Sequence, residues 1–195
     1  AFPTCRDDVL AYLETARFPI LLKAIHGNLF QRTGRTMLLV RTERELLERY
    51  DEVEDPSRPN LILQEYIDSG EITWVFNGYF DRNGGCDVAF TGKKLRNYPP
   101  YFGQGSIGVC EENEVVRATT VGFMRAPGYT GPLDIGYRYD ARDGLYKVND
   151  VNPRIGAMFR LFVGDNGMDV ARAIYQDMTG QPVLHSSTKS DRKWI

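Results

Sequence analysis

The sequence predicts an α+β fold, in which antiparallel hairpins and a few short helices share the chain. Both halves of residues 134–154 alternate with the two-residue period of a strand around a turn at Asp143-Gly144. Residues 72–80 and 86–92 are two further strand-like runs on either side of Asp81-Arg82-Asn83-Gly84-Gly85. This pattern indicates two β-hairpins. Other apolar residues recur at helical spacing behind a polar residue suited to cap a helix, which predicts helices between the hairpins.

Composition limits the classes of partner that the chain is expected to bind. With 195 residues, of which 42% are hydrophobic and 26% charged, the chain can bury a core and resembles an ordinary globular protein. A net charge of −2 without a basic run argues against nucleic acid, and no apolar run is long enough to span a membrane. Three scattered cysteines, Cys5, Cys86 and Cys110, are expected to be reduced thiols in a cytoplasmic protein. Small molecules are the expected partners, and the oligomeric state stays open.

Helical spacing of apolar residues predicts four helices: Thr4 (capped with Asp7) to the break at Phe18-Pro19, a short helix after Thr42-Glu43-Arg44-Glu45, Glu112 to Met124, and Met168 to Thr179. In the third helix, Val115, Val116 and Phe123 are expected to be buried. The glycine-rich residues from Tyr101 to Gly108 are expected to form a loop. The polar residues from His185 to Ile195 are expected to fray.

The hairpin from Asp134 to Arg154 carries the side chains that a hard cation requires. Asp150 and Asn152 face the same way on its second strand, and Asp134 shares a face with Gly136 on its first. A loop of three or five residues would set Asp134 opposite Asp150 or Asn152. Because one or two carboxylates usually hold Mg²⁺ together with phosphates, we predict a metal site at Asp134, Asp150 and Asn152, with Arg154 beside the reacting anion. A solvated acidic hairpin is the alternative.

Three further features suit a nucleotide, each with a plainer alternative. Lys23 lies in the apolar run Ile20–Ala24, where an unpaired ammonium is costly, so it is expected to reach a phosphate or to snorkel at a sheet edge. The apolar strand at 61–67 ends in polar groups, which suits an adenine pocket or a solvated strand end. Lys93 and Lys94 belong to a small basic cluster that would hold a phosphate or carboxylate, or face water.

The order of these motifs resembles the ATP-grasp superfamily. The motifs are F-P-I-L-L-K at 18–23, Q-E-Y-I-D-S-G-E at 64–71 and D-x-N-P-R at 150–154, and the resemblance covers about Phe18 to Gly164. Within it the chain is most similar to carboxylate–amine ligases of the D-aspartate-ligase and carbamoyl-phosphate-synthase-like kind. The resemblance implies two α+β subdomains that grip a nucleotide between two mostly antiparallel sheets. It also implies that ATP and Mg²⁺ convert a carboxylate to an acyl phosphate, which an amine then attacks.

The resemblance also implies roles for individual residues. The nucleotide contacts would be Lys23 for the phosphates, Gln64 and the Glu65-Tyr66-Ile67 segment for adenine, and Glu71 for the ribose. Lys93 or Lys94 would hold phosphate or the acyl group. Asp150 and Asn152 match the metal-binding pair, and Arg154 matches the arginine that steadies the reacting phosphate. The loop from His26 to Arg35 stands where the family has its phosphate flap.

The sequence departs from the family pattern in ways that leave alternatives open. Gly136 stands where the first-strand metal acid is expected, so either Asp134 replaces that acid or one Mg²⁺ is held less well. Asp150 is shorter than the usual glutamate, and the flap has few glycines. The expected organisation is a lead-in helix at 1–17, a small lid subdomain at 18–63, a larger subdomain with the metal hairpin at 64–185, and a polar tail at 186–195. The chain looks like the nucleotide-binding core of a longer enzyme. A non-catalytic nucleotide- or partner-binding module and a kinase-like phosphotransferase are the alternatives.

Overall fold

A computed structural model describes residues 1–25, 36–70, 72–98, 104–189 and 191–195. The helices in these ranges are α1 (Arg6–Leu13), α2 (Glu43–Val53), α3 (Glu114–Arg125) and α4 (Val170–Met178). The strands are β1 (Ile20–Ala24), β2 (Met37–Val40), β3 (Leu61–Glu65), β4 (Thr73–Phe80), β5 (Val88–Tyr98), β6 (Gln104–Cys110), β7 (Gly131–Asp140), β8 (Leu145–Asn152) and β9 (Lys193–Trp194). Two antiparallel sheets with these helices confirm the predicted α+β class. No helix in the described ranges is long and apolar enough to cross a membrane.

The first compact unit, residues 1–67, is built on an antiparallel sheet with strand order β2-β1-β3. One face of this sheet packs against α1 and α2, and Leu22, Leu46 and Leu63 are buried in the core between them. Val9 of α1 is fully buried in the same core, so α1 packs within this unit.

The start of α1 differs in detail from the sequence prediction. The helix is capped at Cys5, and Asp8 rather than Asp7 accepts hydrogen bonds from the Thr4 backbone nitrogen and hydroxyl, both at 2.7 Å. Side-chain oxygens at this position satisfy amides that a helix leaves unpaired in its first turn.

The second compact unit, residues 68–195, contains a six-stranded sheet in the order β8-β7-β4-β5-β6-β9. Its central strand β4 is buried along its whole length, because both faces of the sheet are covered. On one face α3 covers a core that includes Phe76 and Ile135. On the other face α4 and a 3₁₀ turn at Phe159–Leu161 cover a core that includes Val75 and Phe90.

Two predictions fail around the second sheet because tertiary pairing overrides local composition. Residues 104–110, expected to be mostly loop, form β6, and Lys193–Trp194 in the supposedly frayed tail pair with β6 as its edge strand.

In α3 the buried residues are Val116, Thr120 and Met124, which recur every four residues. Val115 and Phe123, expected to be buried, lie on the outer side of that helix and are 58% and 51% exposed.

A β-bulge sets which residues face each other across the β7–β8 hairpin. Residues 141–144 form the loop between the paired ends Asp140 and Leu145, so an unbroken ladder would bring Val151 opposite Asp134. The register shifts after Gly136, and the extra residue on β8 is Asn149; Asn152 is therefore paired with Asp134. A slip of one residue reverses the faces of a strand, so the bulge, and not the predicted three- or five-residue loop, produces the polar surface.

The hairpin loop is fixed by a charge network around Asp140, a carboxylate that is only 2% exposed. Arg142 donates to both Asp140 oxygens at 2.8 and 2.6 Å, and Lys147 Nζ donates to one at 2.6 Å. Gly144 completes the turn with a φ of 74°, which glycine adopts without strain. The hydrogen bonds from Arg142 and Lys147 hold the pKa of Asp140 well below its ordinary value.

Replacing Asp140 with asparagine is expected to lower the free energy of unfolding at neutral pH. Because the folded-state pKa is depressed, the ionised carboxylate stabilises the fold above the unfolded-state pKa, and this contribution is lost as the pH falls through the folded-state value. Urea unfolding at pH 7 and at about pH 2 should therefore show a difference between wild type and Asp140→Asn that shrinks in acid. A difference independent of pH would contradict the proposed role of the network.

Candidate functional site

A cleft of about 580 Å³ opens on the second unit where four strands and the chain after β8 meet. Its polar lining comes from β5, β6, β7 and β8 and from the segment behind β8: Lys94, Tyr98, Gln104, Asp134, Asp150, Asn152 and Arg154. Met158, Ala157 and Gly105 of β6 form the rest of its wall. The cleft thus brings together all the predicted metal ligands, Arg154 and one of the two predicted lysines.

Asp134 is the most buried carboxylate of the cleft, with 7% of its surface exposed. Burial raises its pKa, because a charged carboxylate loses hydration there, and the neighbouring Asp150 raises it further. Lys94, the amide of Asn77 and Arg154 act in the opposite direction and favour the ionised form. A buried acid that shares a cleft with two cationic side chains is suited to orient a polar ligand or to take part in a cation site.

Asp150, Asn152 and Arg154 form a chain of hydrogen bonds along one wall of the cleft. Asn152 Nδ2 donates to Asp150 Oδ2 at 2.7 Å, and Arg154 Nη2 donates to Asn152 Oδ1 at 3.0 Å. Arg154 Nη1 also donates to the backbone oxygen of Ile155 at 3.1 Å. The side chains of Asp150 and Asn152 therefore point to the same side, as the alternation of a strand predicts.

The two predicted lysines are separated by the alternation of β5. Lys94 lines the cleft and lowers the pKa of Asp134. Lys93 faces the other side of the sheet, where its Nζ donates to Glu111 Oε1 at 2.5 Å and lies 4.5 Å from the centre of the Trp74 ring. The structure therefore brings Lys94, and not Lys93, to the other candidate residues.

The predicted nucleotide contacts of the first unit lie on its three-stranded sheet. Lys23 of β1 is paired with Ile62 of β3, and Leu21 is paired with Gln64, so Lys23 and Gln64 point to the same face. This face is opposite to the one packed on the helices, because the alternate residues Ile20, Leu22 and Leu63 belong to that core.

The segment predicted to hold adenine continues directly from β3. Glu65 is the last residue of that strand, and Tyr66 follows it as a buried side chain whose backbone nitrogen donates to the oxygen of Pro19 at 3.0 Å. Ile67 is half-buried. Glu71 and the flap at His26–Arg35 lie outside the described residues.

Asn77 and Gly156 are two site residues that sequence reasoning missed. Asn77 of β4 is paired with Asp134 of β7 and is fully buried. Gly156 lies against the Asp134 carboxylate so closely that a Cβ there would overlap it. An asparagine inside the otherwise apolar run T-W-V-F-N-G-Y-F was a visible signal for the first, whereas only the folded contact identifies the second.

Replacing Gly156 with alanine is expected to destabilise the protein by about 1–3 kcal/mol, as overpacking of a dense interior does. The added methyl would meet the Cβ, Cγ and Oδ2 of Asp134, and these atoms are not the far end of a flexible chain. Urea unfolding measures the change.

Gly122→Ala is the matched control for Gly156→Ala. Nothing lies within 4 Å of a Cβ at Gly122, an exposed position of α3. This substitution should therefore stabilise the protein by about 0.4–1 kcal/mol by restricting the unfolded chain. Equal effects of the two alanines would contradict the close packing of Asp134 against Gly156.

The donor set of the cleft fits a cation that arrives together with an anionic ligand. No group of three His, Cys, Asp or Glu side chains at metal-binding distance occurs in the described ranges. Asp134, Asp150 and the amide oxygen of Asn152 instead provide two carboxylates and one neutral oxygen. Mg²⁺ is commonly held by one or two carboxylates with phosphates and water. The Asn152 oxygen accepts from Arg154, so a bound cation would replace that hydrogen bond.

Comparisons with known sequences identify relatives that are longer than this chain. No protein-family model matches the chain. D-aspartate ligase from Enterococcus faecium is 29% identical over 123 residues, which are 62% of this chain and 29% of that protein. The large chain of carbamoyl phosphate synthase from Methanosarcina mazei is 26% identical over 161 residues, 78% of this chain and 15% of that protein. The chain thus spans less than a third of either relative.

Solved structures share the fold of this chain at low sequence identity. The biotin carboxylase domain of Hydrogenobacter thermophilus 2-oxoglutarate carboxylase, crystallised with MgADP and bicarbonate, has a TM-score of 0.70 and 17% identity over 96% of this chain and 42% of its own. N5-carboxyaminoimidazole synthetase from Staphylococcus aureus with ADP has a TM-score of 0.71 and 13% identity, covering 96% of this chain and 48% of its own. The L-amino acid ligase from Bacillus licheniformis reaches 0.61 at 20% identity, over 86% of this chain and 40% of its own. These likenesses establish the fold.

Proposed function

We propose that this chain, which has the ATP-grasp fold, is the nucleotide-binding part of an ATP- and Mg²⁺-dependent ligase that joins a carboxylate to an amine. The observation that carries the proposal is the single cleft that holds Asp134, Asp150, Asn152, Lys94 and Arg154. The relatedness to D-aspartate ligase and the fold shared with an L-amino acid ligase support the same reaction class.

The charges of the cleft suit the first step of such a reaction. A carboxylate oxygen of the substrate would attack the γ-phosphorus of ATP, and the bond to the β-phosphate oxygen would break, releasing ADP and leaving an acyl phosphate. Two anions must approach each other, so cations have to offset their repulsion. Lys94 and Arg154 both line the cleft and both favour the ionised form of Asp134, so they are the proposed source of this positive charge.

The second step would form the amide bond. The nitrogen of a neutral amine would attack the acyl carbon, the bond to the phosphate oxygen would break, and the amine would lose a proton as inorganic phosphate leaves. Lys94 and Arg154 would again stabilise negative charge, here on the departing phosphate.

Asp134, Asp150 and Asn152 are the proposed ligands of Mg²⁺, which when bound would neutralise phosphate charge as a Lewis acid. Asp134 lies against Gly156, where there is no space for a side chain, and is paired with Asn77 of β4. Asp150 is exposed to the cleft and would complete the set from β8.

In the first unit we propose that Lys23 binds phosphate and that Gln64, with the following Glu65-Tyr66-Ile67 segment, binds adenine. The common face of Lys23 and Gln64 supports this assignment. The role of Glu71 at the ribose and the cytoplasmic location remain predictions from the sequence; Cys5, Cys86 and Cys110 are free thiols.

The reaction is tested by incubating the 195-residue chain with ATP, Mg²⁺ and a panel of amino acids and dicarboxylates, each with and without an amine. Phosphate release that requires both partners, together with an amide product in mass spectrometry, is the expected result. A stable phosphate ester would instead identify a phosphotransferase. Nucleotide binding without any product would identify a non-catalytic module.

One observation favours the non-catalytic alternative. Gly136 is paired with Asp150 and carries no side chain, although the nearest atom to a Cβ there would be Thr73 Cγ2 at 3.6 Å. The position therefore accepts a Cβ without a clash, and the missing acid is not excluded by the packing at that atom. Binding of MgADP without turnover by the wild type would fit a module that retained nucleotide binding alone.

A further inference from the structure

Asn77 is a buried polar residue that the fold itself does not explain. Its side chain is fully buried, and neither its amide nitrogen nor its amide oxygen has a hydrogen-bond partner in the described part of the chain. An unpaired amide in a protein interior loses its hydration without compensation, so it lowers stability. Buried groups of this kind are rare in native proteins, and each one calls for a physical reason.

The surroundings of Asn77 would accept an apolar side chain. On its face of β4 the flanking residues are Val75 and Tyr79, which belong to the core under α4. On the adjacent strand β5 the residue paired with Asn77 is Phe90, which is also fully buried. The sequence pattern of a buried strand therefore favours valine or leucine at this position.

The polar neighbour of Asn77 is Asp134, its partner on β7. Asn77 and Asp134 are directly opposite on adjacent strands and their side chains lie on the same face, although the Asn77 amide does not complete a hydrogen bond to the carboxylate. On another side Asp134 abuts Gly156, where any side chain would overlap it. Asn77 and Gly156 therefore both adjoin Asp134.

We propose that Asn77 is a positioning residue for Asp134 and donates an amide N–H to it when Asp134 takes up a divalent cation in the cleft. The inference rests on the proposed function, because it requires a cation at Asp134. Partners behind a metal ligand orient that ligand and commonly change metal affinity by roughly ten- to a hundred-fold. Asn77 itself is fully buried and does not line the cleft.

The test compares Asn77→Leu with the wild-type 195-residue chain in two measurements. Leucine removes the unpaired amide, so the melting temperature should rise, by roughly 2–4 °C for a chain of this size. The Mn²⁺ dissociation constant, measured by electron paramagnetic resonance with saturating ADP, should increase by roughly ten- to a hundred-fold. A merely structural residue would not produce these opposite changes.

Two further variants make the result specific. Asn77→Thr keeps a donor and suits a strand, so its Mn²⁺ affinity should stay closer to that of the wild type than to that of Asn77→Leu. Thr120→Val removes an equally buried polar group on the other face of the sheet, where the hydroxyl bonds Val116 and Tyr137, both at 2.7 Å. This control should lower the melting temperature and leave Mn²⁺ affinity unchanged.

Each contrary result would contradict one part of the proposal for Asn77. A lower melting temperature or loss of folding in Asn77→Leu would mean that the amide is satisfied within the fold, and unchanged Mn²⁺ affinity would mean that it does not position Asp134. An equal loss of affinity in Asn77→Thr would exclude hydrogen-bond donation as the cause. If the wild type itself binds no Mn²⁺ in the presence of ADP, the proposed function fails, and the inference fails with it.

Discussion

Replacing Asp150 with alanine is expected to weaken Mg²⁺-dependent binding of ATP by roughly ten- to a hundred-fold, the scale on which even indirect partners of a metal ligand act. The substitution removes one of the two carboxylates of the cleft and also the acceptor of the Asn152 amide at 2.7 Å. Asn152→Ala should act in the same direction, since its amide oxygen is the neutral member of the proposed ligand set. Calorimetric titration with ATP, with and without Mg²⁺, measures both effects.

Asp143→Ala provides the matched control on the same hairpin. Asp143 lies in the loop beyond the strands, where it forms an ion pair with Lys147 at 2.6 Å and does not line the cleft. Its removal deletes the same charge from the same element but leaves the proposed ligands in place. ATP affinity that is unchanged in Asp150→Ala and Asn152→Ala, or equally weakened in Asp143→Ala, would contradict a metal site at this end of β8.

Alternation along the strands made much of the site predictable from sequence. Asp150 and Asn152 share a face simply because they are two residues apart on one strand. Which residue of β7 they meet was not predictable, because it depends on the bulge at Asn149, a local feature that moves Asn152 opposite Asp134. The sequence pattern thus identified the residue types of the site, and a single inserted residue decided their register.

The failures elsewhere have a common physical origin. Val115 and Phe123 are apolar and lie in a helix, yet α3 turns Val116, Thr120 and Met124 to the sheet and leaves the other two exposed. Helical spacing alone could not show which stripe faces the sheet, since a threonine occupies the middle of the buried one. Thr120 is accommodated because its hydroxyl bonds the Val116 backbone oxygen and Tyr137, contacts that exist only after packing.

The adjacent lysines of β5 offer the sharpest comparison for catalysis. Lys94→Ala is expected to reduce ATP-dependent phosphate release by roughly a hundred- to a thousand-fold, the usual effect of removing one group that stabilises developing negative charge. Lys94 lines the cleft and acts electrostatically on Asp134, so its ammonium is placed beside the proposed phosphate position. Initial rates with the substrate pair identified from the panel measure the effect.

Lys93→Ala removes the same charge from the neighbouring residue on the opposite face. Its ammonium pairs with Glu111 at 2.5 Å and lies over Trp74, so the expected effect is a loss of stability of about 0.2–1 kcal/mol with little change in rate. The sequence alone treats Lys93 and Lys94 as equivalent, whereas the sheet assigns them to different sides. A larger loss of rate in Lys93→Ala than in Lys94→Ala would reverse that assignment. It would also contradict the proposal that phosphate transfer takes place in the cleft.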